Sequence, residues 1–161
     1  PAIPTLTATI GHTPGARITS PDEADRYVRA LAEAAPTRTR LVRYATSWEG
    51  RPLHYLVISS PANIAQLPAI KADLANIAAG RPGNGAALPV TWLAYSVHGN
   101  EISGTDAALM TAYHLLAATG DAQAARILER TIVVIDPMQN PDGLARFVNN
   151  FLASTGIVPA A

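Results

Sequence analysis

The 161-residue chain has no cysteine. Disulfides and thiolate metal sites are thereby excluded, so any metal would have to be held by His, Asp or Glu. Lysine is almost missing as well. Lys71 stands alone beside eleven Arg, and the twelve basic residues balance twelve acidic ones. The Arg are scattered apart from a loose group at Arg38, Arg40, Arg43 and Arg51. With no basic excess, a solvated face accounts for that group better than a nucleic-acid surface, and no nucleic acid is expected as partner. No apolar run approaches the roughly 18 residues of a membrane-spanning helix, so no transmembrane segment is expected. A Walker loop, Gly-x-Gly-x-x-Gly and Gly-x-Ser-x-Gly are all missing, which argues against nucleotide binding and against a serine nucleophile elbow. The first residue is Pro1 rather than Met, as expected if a leader has been removed or the sequence begins internally.

What is present is a chain of one-domain length, 48% hydrophobic, able to bury a proper core. Residues 1–19 hold three Pro and two Gly without a clear period and read as an extended lead-in. Residues 20–161 read as one folded unit. Ser20-Pro21-Asp22-Glu23 is a strong helix start, with a capping Ser, Pro at the first helical position and Glu23 closing a capping box. Tyr27, Leu31 and Ala34 follow at helical spacing, and the helix should end before Pro36. Leu41–Ser47 and Leu53–Ser59 read as neighbouring strands joined through Glu49-Gly50-Arg51-Pro52. The second has apolar residues on both faces, as a strand covered on both sides would. Residues 61–79 look helical despite Pro68, which is read as the true start of that helix. Gly80–Gly85 reads as a flexible loop, Pro89–Val97 as a strand, 103–118 and 121–130 as helices, and Thr131–Asp136 as a strand. Asn140-Pro141-Asp142-Gly143 fits a type I turn and is read as structural. The tail from Leu144 has no clear assignment. Strands alternating with helices argue for an α/β fold, a mixed and largely parallel sheet flanked by helices in three α/β/α layers.

The segment with most chemistry is Ser96-Val97-His98-Gly99-Asn100-Glu101. It follows a strand and precedes a helix, where open α/β sheets bind their ligands. His98 and Glu101 offer an imidazole nitrogen and a carboxylate oxygen, both zinc donors. A spacing of three lets one bend bring them together, with Gly99 freeing the backbone between them. An arbitrary His-x-x-Glu is more often structural, with the Glu favouring a helix N-terminus and the His in an ordinary loop. Other candidates are weaker. His114 reads as a core-edge or surface residue, His54 as a locally bonded strand residue, and His12 as a loop residue. Asp136 could orient His98, although capping a loop suits it better. Arg146 could reach a pocket near the site.

His98-Gly99-Asn100-Glu101 resembles the first zinc-ligand motif, His-x-x-Glu, of the carboxypeptidase A-like zinc metallocarboxypeptidases, and Ser103-Gly104-Thr105-Asp106 resembles bacterial members. Asn140–Gly143 resembles the Asn-Pro-Asp-Gly segment of that family. Tyr44–Pro52 resembles its Gly-x-Ser-x-Glu-Gly-Arg stretch, with Ala45 in place of Gly. Ser20–Leu31 resembles its N-terminal helix. The resemblance implies that residues 20–161 are the N-terminal part of a metallocarboxypeptidase-like catalytic domain, an incomplete carboxypeptidase-like fold. It makes His98 and Glu101 zinc ligands and zinc the cofactor. The substrate would be a peptide, cleaved at or near its C-terminus or at an unusual peptidoglycan-type bond. The sequence departs from the family in what it lacks: no His follows His114, no Glu follows Glu129, and no Asn-Arg pair is present. A third ligand, the general base and the substrate-binding Arg are therefore expected beyond residue 161, in the remainder of the same catalytic domain. Two ligands alone make a wet, open and weak site, so the isolated chain should be inactive. The family also suggests a periplasmic or secreted protein. Two alternatives remain: a zinc-dependent deacylase of the succinylglutamate desuccinylase and aspartoacylase type, or a non-catalytic domain retaining the fold. Glu49-Gly50-Arg51 favours the peptidase over the deacylase.

Overall fold

The computed structural model describes residues 2–156. Its elements run α1 (Leu6–Ile10), α2 (Pro21–Ala34), β1 (Thr39–Thr46), β2 (Pro52–Ile58), α3 (Pro61–Ala65), α4 (Leu67–Ala78), β3 (Val90–Ala94), α5 (Ile102–Ala117), α6 (Ala122–Arg130), β4 (Ile132–Asp136) and α7 (Pro141–Ser154). The four strands form one sheet in the order β1-β2-β4-β3. The α/β class and the mixed sheet expected from the sequence are present. The parallel majority is not, because β1–β2 and β2–β4 are antiparallel and β3–β4 alone is parallel. The reason is the hairpin. It reverses β2, and β4 then enters between β2 and β3 rather than beyond β3.

Alternation along the strands separates two apolar layers. Leu56, Ile58, Val133 and Ile135 face a core shared with Tyr27, Val28 and Leu31 of α2, Leu109 and Leu116 of α5, and Leu144 and Val148 of α7. Val57, Ile132 and Val134 face the other way, against Ile64 of α3 and Ile70 of α4. β2 and β4 are thus covered on both faces, and the layers are α/β/α.

α2 begins as its sequence demands. The Ser20 side chain accepts from the Glu23 amide and Glu23 returns to the Ser20 amide, a complete capping box with Pro21 at the first turn. The lead-in is not wholly extended. Thr5 caps a short helix, α1, whose Leu6 and Ile10 reach the main core, so burial of two apolar residues a turn apart outweighs the Pro and Gly around them. The helical stretch after Ser60 splits at Gln66 into α3 and α4, with Pro68 in the first turn of α4, where its missing N–H costs nothing. The Gly- and Pro-rich loop after α4 is pinned. Buried Asp73 accepts the amides of Asn84 at 2.6 Å and Ala87 at 2.8 Å, and these backbone donors, Asn84 first, hold its carboxyl below the ordinary range. Asn140–Gly143 is not a free-standing turn. Asn140 caps α7, Pro141 is its first residue, and the helix runs on through most of the tail that lacked an assignment. Residues 157–161 of that tail lie outside the described residues.

The Arg17 guanidinium fastens the lead-in to α2 through Glu23, with one bond of 3.0 Å. This contact, opposed by burial and aided by Ser20, lowers the Glu23 pKa to about 2. A depressed carboxyl stabilises the fold above its unfolded pKa and ceases to do so as pH falls through the folded value. The Glu23 contribution should therefore be complete above about pH 4.3 and fade toward pH 2. Urea unfolding at a series of acid pH values should show Glu23→Gln with a flatter loss of stability across that window than the parent chain.

Candidate metal centre

The strand ends set the position of the site. The C-terminal ends of β3 and β4 lie side by side, with Ala94 opposite Asp136. Because β2 runs against β4, the β1–β2 hairpin turn lies at this same end of the sheet. β3 is then prolonged by a backbone latch. Tyr95 donates to the Asp136 carbonyl, and Gln139 and Asn140 donate to the carbonyls of Tyr95 and Ser96.

At Ser96 the chain turns sharply. Its φ is 52°, in the left-handed region that non-glycine residues seldom adopt. Such a conformation costs about 1–3 kcal/mol and persists where the surroundings impose it. Here the Ser96 hydroxyl is buried against the Thr105 hydroxyl at 2.9 Å, and Thr105 donates to the Pro137 carbonyl at 3.1 Å. One small network ties the end of β3, the first turns of α5 and the loop after β4. Gly104 lies over it, since a Cβ there would stand 3.0 Å from Ser96 Oγ.

After this bend Glu101 N donates to the His98 carbonyl at 3.0 Å, and Glu101 becomes the residue before the first turn of α5. The two side chains converge: His98 Nδ1 stands 3.2 Å from Glu101 Oε1, and both side chains are exposed, 71% and 58%. Glu101 makes no capping bond with its side chain, so the carboxylate is free to face the imidazole. Two donors on a tetrahedral zinc at about 2.0–2.2 Å stand about 3.4 Å apart, so the pair has the separation of two corners of such a site.

Gly99 explains why the loop lies where it does. A Cβ at this position would fall 2.0 Å from the carbonyl carbon of Gly143 and 2.4 Å from the Leu144 nitrogen. No side chain fits there. Two backbones touch directly, which sets His98 against the first turn of α7. Gly143 is constrained in turn by its own cap, with Asn140 Nδ2 only 2.6 Å from where its Cβ would be.

The start of α7 is anchored from its other side by the hairpin. Asp142 accepts from the Ser47 hydroxyl at 2.7 Å, the Glu49 amide at 3.0 Å and Arg51 Nη1 at 2.7 Å. Burial alone would raise the Asp142 carboxyl, but these donors outweigh it and hold it below the ordinary range. Arg51 also pairs with Glu49, and Arg146 of α7 donates to Glu49 at 2.8 Å. Arg51, then Arg146, hold the Glu49 carboxyl low. Arg146 therefore serves this bridge. Asp142 was not a site candidate in the sequence. A Ser-x-Glu-Gly-Arg turn elsewhere in the chain, rich in donors for one carboxylate, is the signal that points to it.

The remaining candidates lie apart from the pair. Asp136 does not orient His98. Its Oδ2 accepts the Tyr44 hydroxyl at 2.9 Å, and its Oδ1 is buried without a partner. Burial, outweighing its hydrogen bonds, raises its pKa. His54 is held by Asp25 at 2.7 Å and faces Arg29. His114 stands 3.4 Å from Asp121, and His12 Nδ1 is 3.0 Å from the Thr13 carbonyl. Among the described residues no group of three His, Asp or Glu could hold a metal ion, and no helix is long and apolar enough to cross a membrane.

The sequence profile of zinc carboxypeptidases matches residues 24–154, nearly all of the folded unit just described. The chain belongs to the zinc carboxypeptidase family. Solved structures agree on the fold. Carboxypeptidase A from Helicoverpa armigera is 25% identical, with a TM-score of 0.60 over 84% of this chain and 27% of that one. Thrombin activatable fibrinolysis inhibitor (TAFI) gives a TM-score of 0.62 at 17% identity, over 81% of this chain and 27% of that one. The bovine form, solved with tick carboxypeptidase inhibitor, gives 0.57 at 17% identity, over 80% of this chain and 33% of that one. The zinc carboxypeptidase chain thus spans about a quarter to a third of the length of these structures. A comparison with curated protein sequences finds no match.

In this zinc carboxypeptidase chain, Gly99→Ala should push the His98 loop off α7. The expected result is loss of the His98–Glu101 convergence, read by NMR as shifts spreading from residues 96–104 to 140–146. Gly80→Ala, in a left-handed turn with no atom within 4 Å, should leave those resonances in place.

Proposed function

We propose that this chain supplies the first two zinc ligands, His98 and Glu101, of a carboxypeptidase-type peptide hydrolase, and that the third ligand, the general base and the substrate-binding Arg come from sequence outside it. The observation that carries this reading is the convergence of the two side chains at 3.2 Å on the exposed end of β3. The fit to zinc is good at two corners: neutral imidazole and carboxylate are both zinc donors, and both side chains are exposed to further ligands. Bound zinc would polarise a scissile carbonyl and make water acidic enough to attack at neutral pH.

The chain's own residues have a positioning part. The Ser96 bend aims His98 away from the sheet, Gly99 fixes its distance from α7, and Glu101 presents a carboxylate unencumbered by capping. The Asp142–Arg51–Glu49 bridge keeps α7 from moving under the pair. That bridge also favours the peptidase over a deacylase, because it gives the Glu49-Gly50-Arg51 turn a defined job beside the site. The substrate class is a peptide cleaved at or near its C-terminus, or a peptidoglycan-type bond. A periplasmic or secreted location accords with the family resemblance.

The isolated 161-residue chain should show no peptidase activity and only weak zinc binding by isothermal titration, with two protein ligands and water completing the shell. Nanomolar affinity would contradict the two-ligand reading. In a full-length protein, His98→Ala or Glu101→Ala should lower zinc affinity by more than the roughly 10–100-fold typical of outer-shell losses, with hydrolysis lost in parallel. His114→Ala should change neither.

A further inference from the structure

One buried carboxyl has no part in the metal pair or in the bridge beneath it. Asp136, the last residue of β4, is 1% exposed. Its main chain belongs to the latch: the Asp136 carbonyl accepts from Tyr95, and a few residues on Gln139 and Asn140 donate to Tyr95 and Ser96. Its side chain is poorly served. Oδ2 accepts the Tyr44 hydroxyl at 2.9 Å, whereas Oδ1 is buried with no hydrogen-bond partner. An ionised carboxylate is costly in such a place, because one of its oxygens carries charge without a donor. Burial disfavours the neutral acid far less.

The surroundings supply no compensating charge. By strand alternation the Asp136 side chain shares a sheet face with Ile132 and Val134. On that face β2 presents Tyr55, and β3 presents Trp92 and Ala94. Tyr44 of β1 completes an aromatic row there, with ring centroids 5.6 Å from Tyr44 to Tyr55 and 5.4 Å from Tyr55 to Trp92. Tyr95 packs against the opposite, main core. Of the charges at the hairpin and α7, Arg51 is taken up by Glu49 and Asp142, and Arg146 by Glu49. Gln139 and the Met138 amide act on the carboxyl from the loop after β4, but neither completes a hydrogen bond to Oδ1. Burial outweighs Tyr44 and these donors, which is why the carboxyl lies above its ordinary range. Burial, then the bond to Asp136, also raises the Tyr44 phenol, which stays a neutral donor.

We propose that Asp136 is carried in the fold as a neutral carboxylic acid, and that with Tyr44 it forms a positioning pair whose ionisation loosens the turn carrying Ser96 and His98. The hydrogen bond reaches across the sheet, since β2 lies between β1 and β4. Tyr44 can make it because it is the extra residue of the bulge between Arg43 and Ala45, and a bulge re-aims a side chain. The pair thereby ties β1 to the point where the β3–β4 latch begins. A charge on Asp136 would be relieved by water only if that latch opened. The effect on His98 passes through the backbone bonds of residues 95, 96, 139 and 140 and not through contact with the imidazole. It is a property of the metal-free chain and is independent of the zinc assignment.

A carboxyl raised in the fold favours folding fully below its unfolded pKa of about 3.9, and that contribution is lost as pH rises through the folded value. Carbon NMR of the Asp carboxyl groups of the metal-free chain, followed against pH, should show Asp136 titrating above the ordinary Asp range. Asp73 and Asp142, held low by their donors, should titrate below it. Tyr44→Phe removes the donor to Oδ2 and should move the Asp136 midpoint higher still, with Asp73 unmoved. Across the Asp136 titration the amides of Tyr95, Gln139 and Asn140 should lose hydrogen-exchange protection. Asp136→Asn supplies a neutral isostere. It should keep that protection over the same range, and its melting temperature should gain on the parent's as pH rises from about 4. An Asp136 midpoint in or below the ordinary range would overturn the proposal, because a further donor or a cation must then serve Oδ1. So would an Asp136→Asn variant that melts well below the parent at neutral pH. Latch amides whose protection in the parent ignores the Asp136 titration would contradict the positioning role.

Discussion

Where β3 and β4 end, two stretches of backbone touch with no side chain between them. Gly99 lies on Gly143 so closely that a single methyl group would meet a carbonyl carbon at 2.0 Å. Everything that gives His98 its place follows from this approach. It needs Gly99 for space, it needs Ser96 to turn the chain early through a left-handed conformation, and it needs α7 to start at Asn140 so that Gly143 is in the first turn. Each requirement has its own support: the Ser96–Thr105–Pro137 hydrogen bonds for the bend, and the Asn140 side chain on the Gly143 amide for the cap. Close packing of this kind transmits small displacements rather than absorbing them, so the His98–Glu101 pair is no more accurately placed than the helix beneath it.

That helix is where the charged residues matter. Asp142 is a buried carboxylate with three donors, two from the hairpin side chains and one from its backbone. A buried charge is tolerable only when its lone pairs are satisfied, and the hairpin turn exists in the geometry that satisfies them. Arg146 and Glu49 add an exposed pair of the kind that contributes little to stability by itself. Its effect here is to give the bridge a second point of attachment along α7. The hairpin, remote in sequence from His98, is connected to it through the start of α7: Asp142 holds the hairpin, and Gly143 lies against Gly99.

Much of this was legible from residue order. The capping box at Ser20, the hairpin around Gly50 and the convergence of His98 with Glu101 follow from local rules that tertiary structure did not overturn. The sheet topology was not legible, because nothing in Ile132–Asp136 says whether it enters beside β2 or beyond β3. Asn140–Gly143 starts a helix where its sequence suggests a free-standing turn, for a related reason. Asn, Pro and Gly suit a type I turn and a helix start equally well, and the choice is made by Leu144 and Val148, which reach the core only if a helix follows. Asp136 is near His98 in the order of the strand ends, yet it partners Tyr44. Its place at the end of a fully buried strand, bonded to Tyr44, depends on β1 being two strands away on the same sheet, a fact no local pattern carries.

His98 and Glu101 are proposed as two corners of one zinc site whose other protein corner lies outside this chain. Anomalous diffraction at the zinc edge from crystals of the full-length protein tests it most directly. One peak is expected within about 2.0–2.2 Å of His98 Nδ1 and a Glu101 carboxylate oxygen, with a further protein ligand from beyond residue 161. A zinc peak bound elsewhere, with His98 and Glu101 still paired only to each other, would contradict it.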